Sequence, residues 1–165
     1  MFTIATTRFN NETISENRNW RERNNMEGCI YGSPVLMSPT LPLGSNIFII
    51  EMNNEKNIIE GIGFIIKPEY PKKSRPIYKT GNYNRYIYVG EYRVDKERIK
   101  DEYDKRVINV LEQLLFRGAK HSKRGQGITQ LPNWLECNRY GYSFSGFFRN
   151  LFKKEYGEYI FENMK

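Results

Sequence analysis

The sequence predicts a mixed α+β fold, in which short strands curl into a β-barrel and a long amphipathic helix and a C-terminal helix pack on it. Three observations lead to this expectation. Short apolar runs separated by loops rich in proline and glycine fill the first half of the chain, as is typical of β-strands. Helical patterns follow at 96–117 and at 143–154. A length of 165 residues favours one domain, 1–165, that can bury a core of its own.

The clearest strands are 46–52 and 58–66, which the turn-rich linker 53–57 joins into a hairpin. Both runs are almost continuously apolar, which indicates burial on two faces or a place at the centre of a barrel. Gly61 and Gly63 indicate a bend or a bulge in the second strand. Such irregularities help a sheet to curl.

The preceding residues divide into a strand and a loop. Residues 2–7 are β-branched and aromatic, which suits an opening strand. Residues 28–45 carry three prolines, which exclude a continuous helix and a central strand. We expect an ordered apolar loop there, with Met37, Leu41 and Leu43 available for burial.

Two further strands are expected later in the chain. In 84–94 the residues Tyr86, Tyr88 and Tyr92 fall on one side of an extended chain. Packing in the core or across strands is the favoured use of these rings, and stacking on bases is the alternative. Residues 128–131 form a short strand that stops at a proline.

The pattern at 96–117 predicts the longest helix. Asp95 can cap its start, and Gly118 can close its end. Its apolar positions recur at steps of four, three and one and give one apolar face: Ile99, Tyr103, Val107, Val110, Leu111, Leu114 and Leu115.

Charge and cysteine content restrict the partner and the compartment. The net charge of +7 favours an anionic partner, of which nucleic acid is the commonest, although a basic balance can also serve solubility alone. Cys29 and Cys137 form no CxxC pair, which argues against a metal site and fits a reducing compartment. No run reaches the length of a membrane span, and no secretory signal begins the chain. We therefore expect an intracellular protein.

Residues 113–135, here called the basic segment, lack Asp and Glu altogether. A cationic loop that glycines interrupt beside an aromatic ring is a plausible contact surface for phosphates and bases. A solvated basic turn between two core elements is the alternative. The residues on which the nucleic-acid interpretation depends are Arg117, Lys120, His121, Lys123, Arg124 and Trp134, with Gly118, Gly125 and Gly127 between them.

A second arginine-rich stretch surrounds the other tryptophan. Residues 8–27 are polar and rich in asparagine, and Trp20 is flanked there by Arg18, Arg21 and Arg23. We expect Trp20 to be a peg into the core, because a buried indole contributes a large apolar area. An exposed aromatic site among the arginines is the alternative.

Motifs for catalysis or for a cofactor are weak in this sequence. A Ser-His-Asp or Cys-His site would need His121, which has no carboxylate near it in the sequence to orient it. The Gly-x-Gly runs at 61–63 and 125–127 are too short to indicate a nucleotide cofactor. Glu51 and Glu60 lie on the hairpin strands and are expected to face outward. We therefore expect no cofactor, no metal and no catalytic residues.

The order of elements over residues 1–94 resembles the PUA-like superfamily, notably its EVE and YTH branches. The resemblance rests on FTIATT as an opening strand and on GSNIFIIEM followed by the Gly-x-Gly strand IIEGIGFII. Gly44-Ser45 stands where those families carry a Gly-Asp-type turn. The resemblance implies a small β-barrel that reads a modified or flipped base in an aromatic pocket. The richness in Asn, Ile, Lys and Tyr resembles proteins of AT-rich genomes, such as those of large DNA viruses.

Three functions compete on this basis. The first is a module that binds RNA or DNA, holding a base or a cap-like group between aromatic rings while basic side chains hold phosphates. The second is a structural or interaction protein in a larger assembly, for instance a viral one, and the third is an enzyme that processes nucleic acid with Lys, Glu or His121. The predicted nucleic-acid contacts are Arg18, Trp20, Arg21, Lys120, His121, Lys123, Arg124 and Trp134.

Overall fold

The structure, a computed structural model that describes residues 2–162, is mixed α+β, as the sequence predicts. Its strands are β1 (Phe2–Phe9), β2 (Cys29–Ser33), β3 (Asn46–Asn53), β4 (Ile58–Ile66), β5 (Tyr86–Gly90), β6 (Tyr92–Asp95) and β7 (Thr129–Gln130). Its helices are α1 (Asn11–Arg23), α2 (Glu102–Phe116), α3 (Asn133–Glu136) and α4 (Phe144–Tyr156). The opening strand, the hairpin of β3 and β4, the short strand at β7 and the C-terminal helix are thereby confirmed.

Five strands form the larger sheet, in the order β6-β4-β3-β1-β7. β1 and β3 are parallel, with Ile4 opposite Phe48, and the other neighbours are antiparallel. β2 and β5 form a separate two-stranded antiparallel ribbon. Over residues 2–162 the larger sheet is not closed into a barrel, since β6 and β7 are its edges. The predicted barrel therefore remains a prediction.

Apolar side chains cover both faces of the larger sheet. Along β3, Phe48 and Ile50 pack with residues of α2 and α4, in what we call the helix-side core. The alternate residues Ile47 and Ile49 pack with residues of β2 and β5, in what we call the ribbon-side core. All four side chains are 0% exposed, which explains why β3 is continuously apolar instead of alternating. The predicted burial of this strand on two faces is confirmed.

The long helix begins later than the sequence predicts. Asp95 caps only a 3-10 turn at Lys96–Arg98, and Ile99 then adopts an extended conformation that interrupts the helix. Asp101 is the cap of α2, because its side chain accepts a hydrogen bond from the backbone N–H of Asp104. The apolar periodicity therefore includes Ile99, which is buried but not helical.

Helix α1 lies in the polar stretch for which the sequence indicates no helix. Asn10 and Thr13 form a reciprocal capping box at its start. Its buried residues are Ile14 and Asn17. The Asn17 amide donates to Ile30 O at 2.7 Å and to Tyr78 Oη at 3.0 Å. A helix that docks through an amide has no apolar stripe for a periodicity argument to find.

Two other predictions for the loops and strands are wrong in detail. The loop 28–45 begins with a strand, β2, which ends before its first proline, and Leu43 is 63% exposed instead of buried. The predicted strand 84–94 is divided at Gly90 and Glu91 into β5 and β6, which belong to different sheets. A Cβ on Gly90 would lie 2.0 Å from the carbonyl oxygen of Phe64, so only glycine allows the ribbon to approach β4 so closely.

Candidate functional site

The two tryptophans among the predicted contact residues lie on opposite faces of the larger sheet. Trp20, on α1, is partly buried and packs against the ribbon-side core, in agreement with the expectation that its ring contacts the core. Trp134, on α3, is 36% exposed, and its neighbour Leu135 is buried in the helix-side core. The structure therefore does not bring the two tryptophans into one aromatic pocket.

The arginines of α1 are engaged within the protein. Arg18 Nη2 lies 3.5 Å from Glu60 Oε2. Arg21 Nε donates to Asn17 Oδ1 at 2.9 Å, and burial lowers the pKa of Arg21. Arg21 Nη2 and Trp20 Nε1 are buried and have no hydrogen-bond partner among the described residues. Of these two arginines, only Arg18 is exposed enough to meet a ligand on the surface.

The cations of the basic segment are arranged differently. Lys120 and Arg124 are exposed, and Lys123 is half-buried. None of these three side chains forms an ion pair with another described residue. Lys120 Nζ lies 5.9 Å from the centre of the Trp134 ring, within the range of a cation–π contact. The segment thus presents uncompensated positive charge beside a partly exposed indole.

Backbone hydrogen bonds hold this part of the segment in place. Ser122 N–H donates to Leu115 O at 2.6 Å at the end of α2. The carbonyl of Lys123 accepts a hydrogen bond from Asn54 Nδ2 at 2.8 Å. His121 Nδ1 accepts from the backbone N–H of Lys123 at 3.2 Å, and among the described residues no carboxylate orients the imidazole. These hydrogen bonds fix the loop against the end of α2 and the turn after β3.

A cleft of about 260 Å³ opens beside this loop, where β1 runs into α1. Its walls include Arg8 of β1, Asn54 after β3, Tyr83 and the glycine-rich turn 125–127. Because β1 and β3 are parallel neighbours, their carboxyl ends lie side by side next to the cleft. We call this feature the Arg8 cleft.

Among the described residues, Arg8 is the only charged one that lines the cleft. Its Nε donates to Ser122 O at 2.9 Å, and its Nη1 donates to Thr129 Oγ1 at 3.0 Å. Nη2 has no hydrogen bond to a described residue. Burial lowers the pKa of Arg8 to about 10, and no described carboxylate opposes that effect. A half-buried guanidinium without a counter-charge is costly unless a ligand neutralises it.

Arg93 is buried and, unlike the half-buried Arg8, has carboxylate partners. It donates to both carboxylate oxygens of Glu51 and to Asp95, and Glu51 also accepts a hydrogen bond from Tyr31 Oη at 2.7 Å. Burial opposes the charge on Arg93, yet the adjacent Glu51 carboxylate raises its pKa overall. Glu51 is 1% exposed, so the expectation that it faces outward is wrong. The Glu51 carboxylate can be buried because Arg93 and Tyr31 donate hydrogen bonds to both of its oxygens.

Sequence reasoning missed most of the cleft. Arg8 lies just past the predicted opening strand and carries no motif, and Asn54 and Tyr83 are ordinary turn residues in the sequence. The one signal in the sequence is the Gly-x-Gly run at 125–127, where Gly125 and Gly127 have φ of +118° and +69°. Two left-handed glycines around an exposed Gln126 indicate a constrained turn, although they do not identify what lies against it.

Comparison with known proteins adds no assignment, since no protein-family model, no curated protein and no solved structure matches the chain. Within residues 2–162 no group of three or more His, Cys, Asp and Glu side chains is placed to hold a metal ion. Over the same residues no helix combines the length and the apolar character needed to cross a bilayer.

Proposed function

We propose that the protein is a nucleic-acid-binding module and that the basic segment is its contact surface. One observation carries the proposal: Lys120, Lys123 and Arg124 have no carboxylate partner among the described residues, although the chain contains 19 Asp and Glu. Cations that a protein does not neutralise internally are available to phosphates, and phosphate contacts supply most of the affinity in non-specific binding.

Trp134 adds the second element of such a surface. Its indole is partly exposed beside Lys120, so a base can stack on the ring while the ammonium group meets a phosphate. Single-stranded RNA or DNA fits this arrangement best, because the bases of a single strand are free to stack.

The fold expected for such a module is the curled barrel of the PUA-like superfamily. In its support, the chain passes from β5 of the ribbon directly into β6 of the larger sheet at Gly90 and Glu91. At the other side of the ribbon, a Cβ on Gly127, just before β7, would lie 2.3 Å from Ser33 Oγ at the end of β2. The ribbon thus reaches from β4 towards the β7 edge, as a sheet that curls on itself would.

A salt titration of binding tests the proposal. Affinity for short labelled single-stranded RNA and DNA is measured for the wild type and for the triple variant Lys120→Ala, Lys123→Ala, Arg124→Ala. We expect the triple variant to bind roughly 10- to 1000-fold more weakly at low salt, from about 0.5–1.5 kcal/mol for each contact. The slope of log affinity against log salt should fall by about 0.7–1 for each phosphate that the variant no longer binds.

The matched control removes the same charge elsewhere. Lys100, Lys105 and Arg106 are exposed near the start of α2, and of the three only Lys105 has an ion-pair partner among the described residues, the exposed Glu102. Arg106 lies about 15 Å along the helix from its other end. Their triple alanine variant should retain most of the affinity and the full salt slope. If both triple variants lost affinity equally, net charge alone would explain the loss. A wild type without affinity for RNA or DNA at low salt would overturn the proposal. The assembly-component function would then be favoured.

A further inference from the structure

The Arg8 cleft has the features of a binding site separate from the surface of the basic segment. The only charged residue among its described lining residues is a cation, and two of the three guanidinium nitrogens are fixed by hydrogen bonds to Ser122 and Thr129. The guanidinium is therefore held in one orientation before any ligand arrives, which lowers the entropic cost of binding. Nη2 has no hydrogen bond to a described residue and can donate a charge-assisted hydrogen bond to an anion.

The turn 125–127 keeps this guanidinium accessible. A Cβ on Gly125 would lie 3.3 Å from Arg8 Cζ, closer than an ordinary van der Waals contact. Gly125 also has φ of +118°, which side-chain-bearing residues rarely adopt. Glycine at this position thus leaves space at the guanidinium that another residue would fill.

The volume and the aromatic wall restrict the ligand. About 260 Å³ is slightly below the ordinary range for small-molecule pockets, so the size of the cleft favours a ligand no larger than one nucleotide unit. Tyr83 is 40% exposed, and its ring lies edge-on to buried Tyr78 with the ring centres 6.3 Å apart. A residue that lines a cationic cleft and has a partly exposed aromatic ring suits a ligand with an anionic end and a planar end.

We propose that the Arg8 cleft binds a nucleotide phosphate monoester, with the phosphate on Arg8 and the base against Tyr83. A phosphate monoester carries a charge of about −1.5 to −2 at neutral pH and offers several acceptor oxygens to the guanidinium. The same chemical group occurs in a free nucleoside monophosphate and at the phosphorylated end of a nucleic acid. A free nucleotide fits the cleft alone, so this inference does not depend on the proposed function of the basic segment.

Amide NMR titrations test the site directly. Adenosine 5′-monophosphate is the probe, adenosine is the matched ligand without phosphate, and the amides of Gly125, Gln126 and Gly127 are followed. We expect saturable shifts of these amides with the monophosphate and none with adenosine at equal concentration. Equal responses to the two ligands, or no response at these three amides, would overturn the proposal.

Arg8 also tethers Ser122 and Thr129, so its removal could disturb the fold, and a change at Gln126 is the better variant. Gln126 is exposed on the wall of the cleft, and Gln126→Glu places a carboxylate of nearly the same shape near Arg8. We expect the affinity for adenosine monophosphate to fall roughly 5- to 50-fold, from charge repulsion at the mouth of the cleft. Asn109→Asp, at an exposed position of α2 outside both the cleft and the basic segment, makes the same amide-to-carboxylate change and should retain wild-type affinity. Unchanged affinity in Gln126→Glu would contradict the proposal.

Oligonucleotides distinguish the two sources of the phosphate. If the natural ligand is a nucleic-acid end, a single strand with a 5′-phosphate binds more tightly than the same strand with a 5′-hydroxyl, and Gln126→Glu removes that difference. If the strands bind equally while adenosine monophosphate still binds in the cleft, the ligand is a free nucleotide. The triple variant of Lys120, Lys123 and Arg124 retains Arg8 and the turn 125–127, so it should still show saturable shifts with adenosine monophosphate and none with adenosine. Failure of the cleft and failure of the basic segment are therefore separable.

Discussion

Arg93 and Glu51 form a two-pronged ion pair inside the protein, with 2.7 Å between Nη2 and Oε1 and 2.9 Å between Nε and Oε2. The two side chains are 4% and 1% exposed. The pair connects β6 to β3 across β4, and a Cβ on Gly61 of β4 would lie 2.6 Å from Arg93 Nη2. Because residue 61 is glycine, no side chain of β4 blocks the Arg93 guanidinium where it crosses the sheet to reach Glu51.

Breaking this pair should be costly. Glu51→Gln keeps the side-chain volume but leaves Arg93 with only the partly exposed Asp95 as a counter-charge among the described residues. We expect the free energy of unfolding to fall by about 3–5 kcal/mol, the usual result when one partner of a buried pair is removed. Chemical denaturation measures this change.

An exposed pair supplies the control for that measurement. Glu102 and Lys105 lie 3.5 Å apart with side chains 83% and 48% exposed. Glu102→Gln should change the free energy of unfolding by less than about 1 kcal/mol, because solvent screens such pairs. Similar decreases in Glu51→Gln and Glu102→Gln would show that the buried pair contributes no more than a surface contact.

The thiol of Cys29 should make stability depend on alkaline pH. Burial, and then the nearby Glu51 carboxylate, raise the pKa of this thiol to about 12. A thiol in the unfolded chain ionises near about 8.5, so its stabilising contribution is complete below that pH and is lost as the pH rises towards 12. One such group changes the free energy of unfolding by up to about 1.4 kcal/mol per pH unit within that window.

Two cysteine variants isolate this effect. Cys29→Ala should reduce the slope of unfolding free energy against pH between about 9 and 11, whatever its effect at neutral pH. Cys137→Ala removes an exposed thiol and should leave the slope unchanged. Denaturant titrations at several pH values measure both slopes, and identical slopes in the two variants would contradict the prediction.

Apolar patterning predicts the parts of the fold that depend on apolar burial. The hairpin of β3 and β4 and the helix α4 are evident in the sequence because their buried residues are mainly Ile, Leu and Phe, in continuous runs in the strands and at helical spacing in α4. Helix α1 shows no such pattern because it docks through Asn17. The pattern of β2 is not recognisable because the strand is short and lies next to a proline-rich loop.

The candidate site is predictable only in part, for a different reason. The cations of the basic segment are close enough in sequence to be recognised as a cluster. The Arg8 cleft combines side chains that are far apart in sequence, since Arg8 contacts Ser122 and Thr129 with sequence separations of 114 and 121. Such contacts follow from the pairing of β1 with β7 and are not visible in any local pattern.

The junction between β5 and β6 gives a stability prediction. A methyl group on Gly90 would meet a backbone oxygen, that of Phe64, at 2.0 Å, and a backbone atom cannot move aside as a side chain can. Gly90→Ala should therefore lower the free energy of unfolding by about 1–3 kcal/mol or more through overpacking. Thermal melting checks this expectation.

Gly81 is the matched control for that substitution. A Cβ at Gly81 would meet no atom within 4 Å, and its φ is not in the left-handed region. Gly81→Ala should be neutral or stabilise by up to about 1 kcal/mol, since alanine restricts the unfolded chain. An equal decrease in the free energy of unfolding in both variants would show that the close approach of Gly90 to Phe64 is not the cause of the destabilisation.

Trp134→Ala separates stacking from packing at the basic segment. The ring is 36% exposed and lies beside Lys120, so its removal should lower the melting temperature only slightly. If a base stacks on it, binding of single-stranded RNA or DNA should weaken by roughly 1–3 kcal/mol, with little change in the salt slope, because the cations that bind phosphates stay in place. Tyr159→Ala removes another exposed ring, 73% exposed after α4, and should leave binding unchanged. A large drop in melting temperature with unaltered affinity would instead make Trp134 a structural residue and leave the lysines and Arg124 as the whole contact surface.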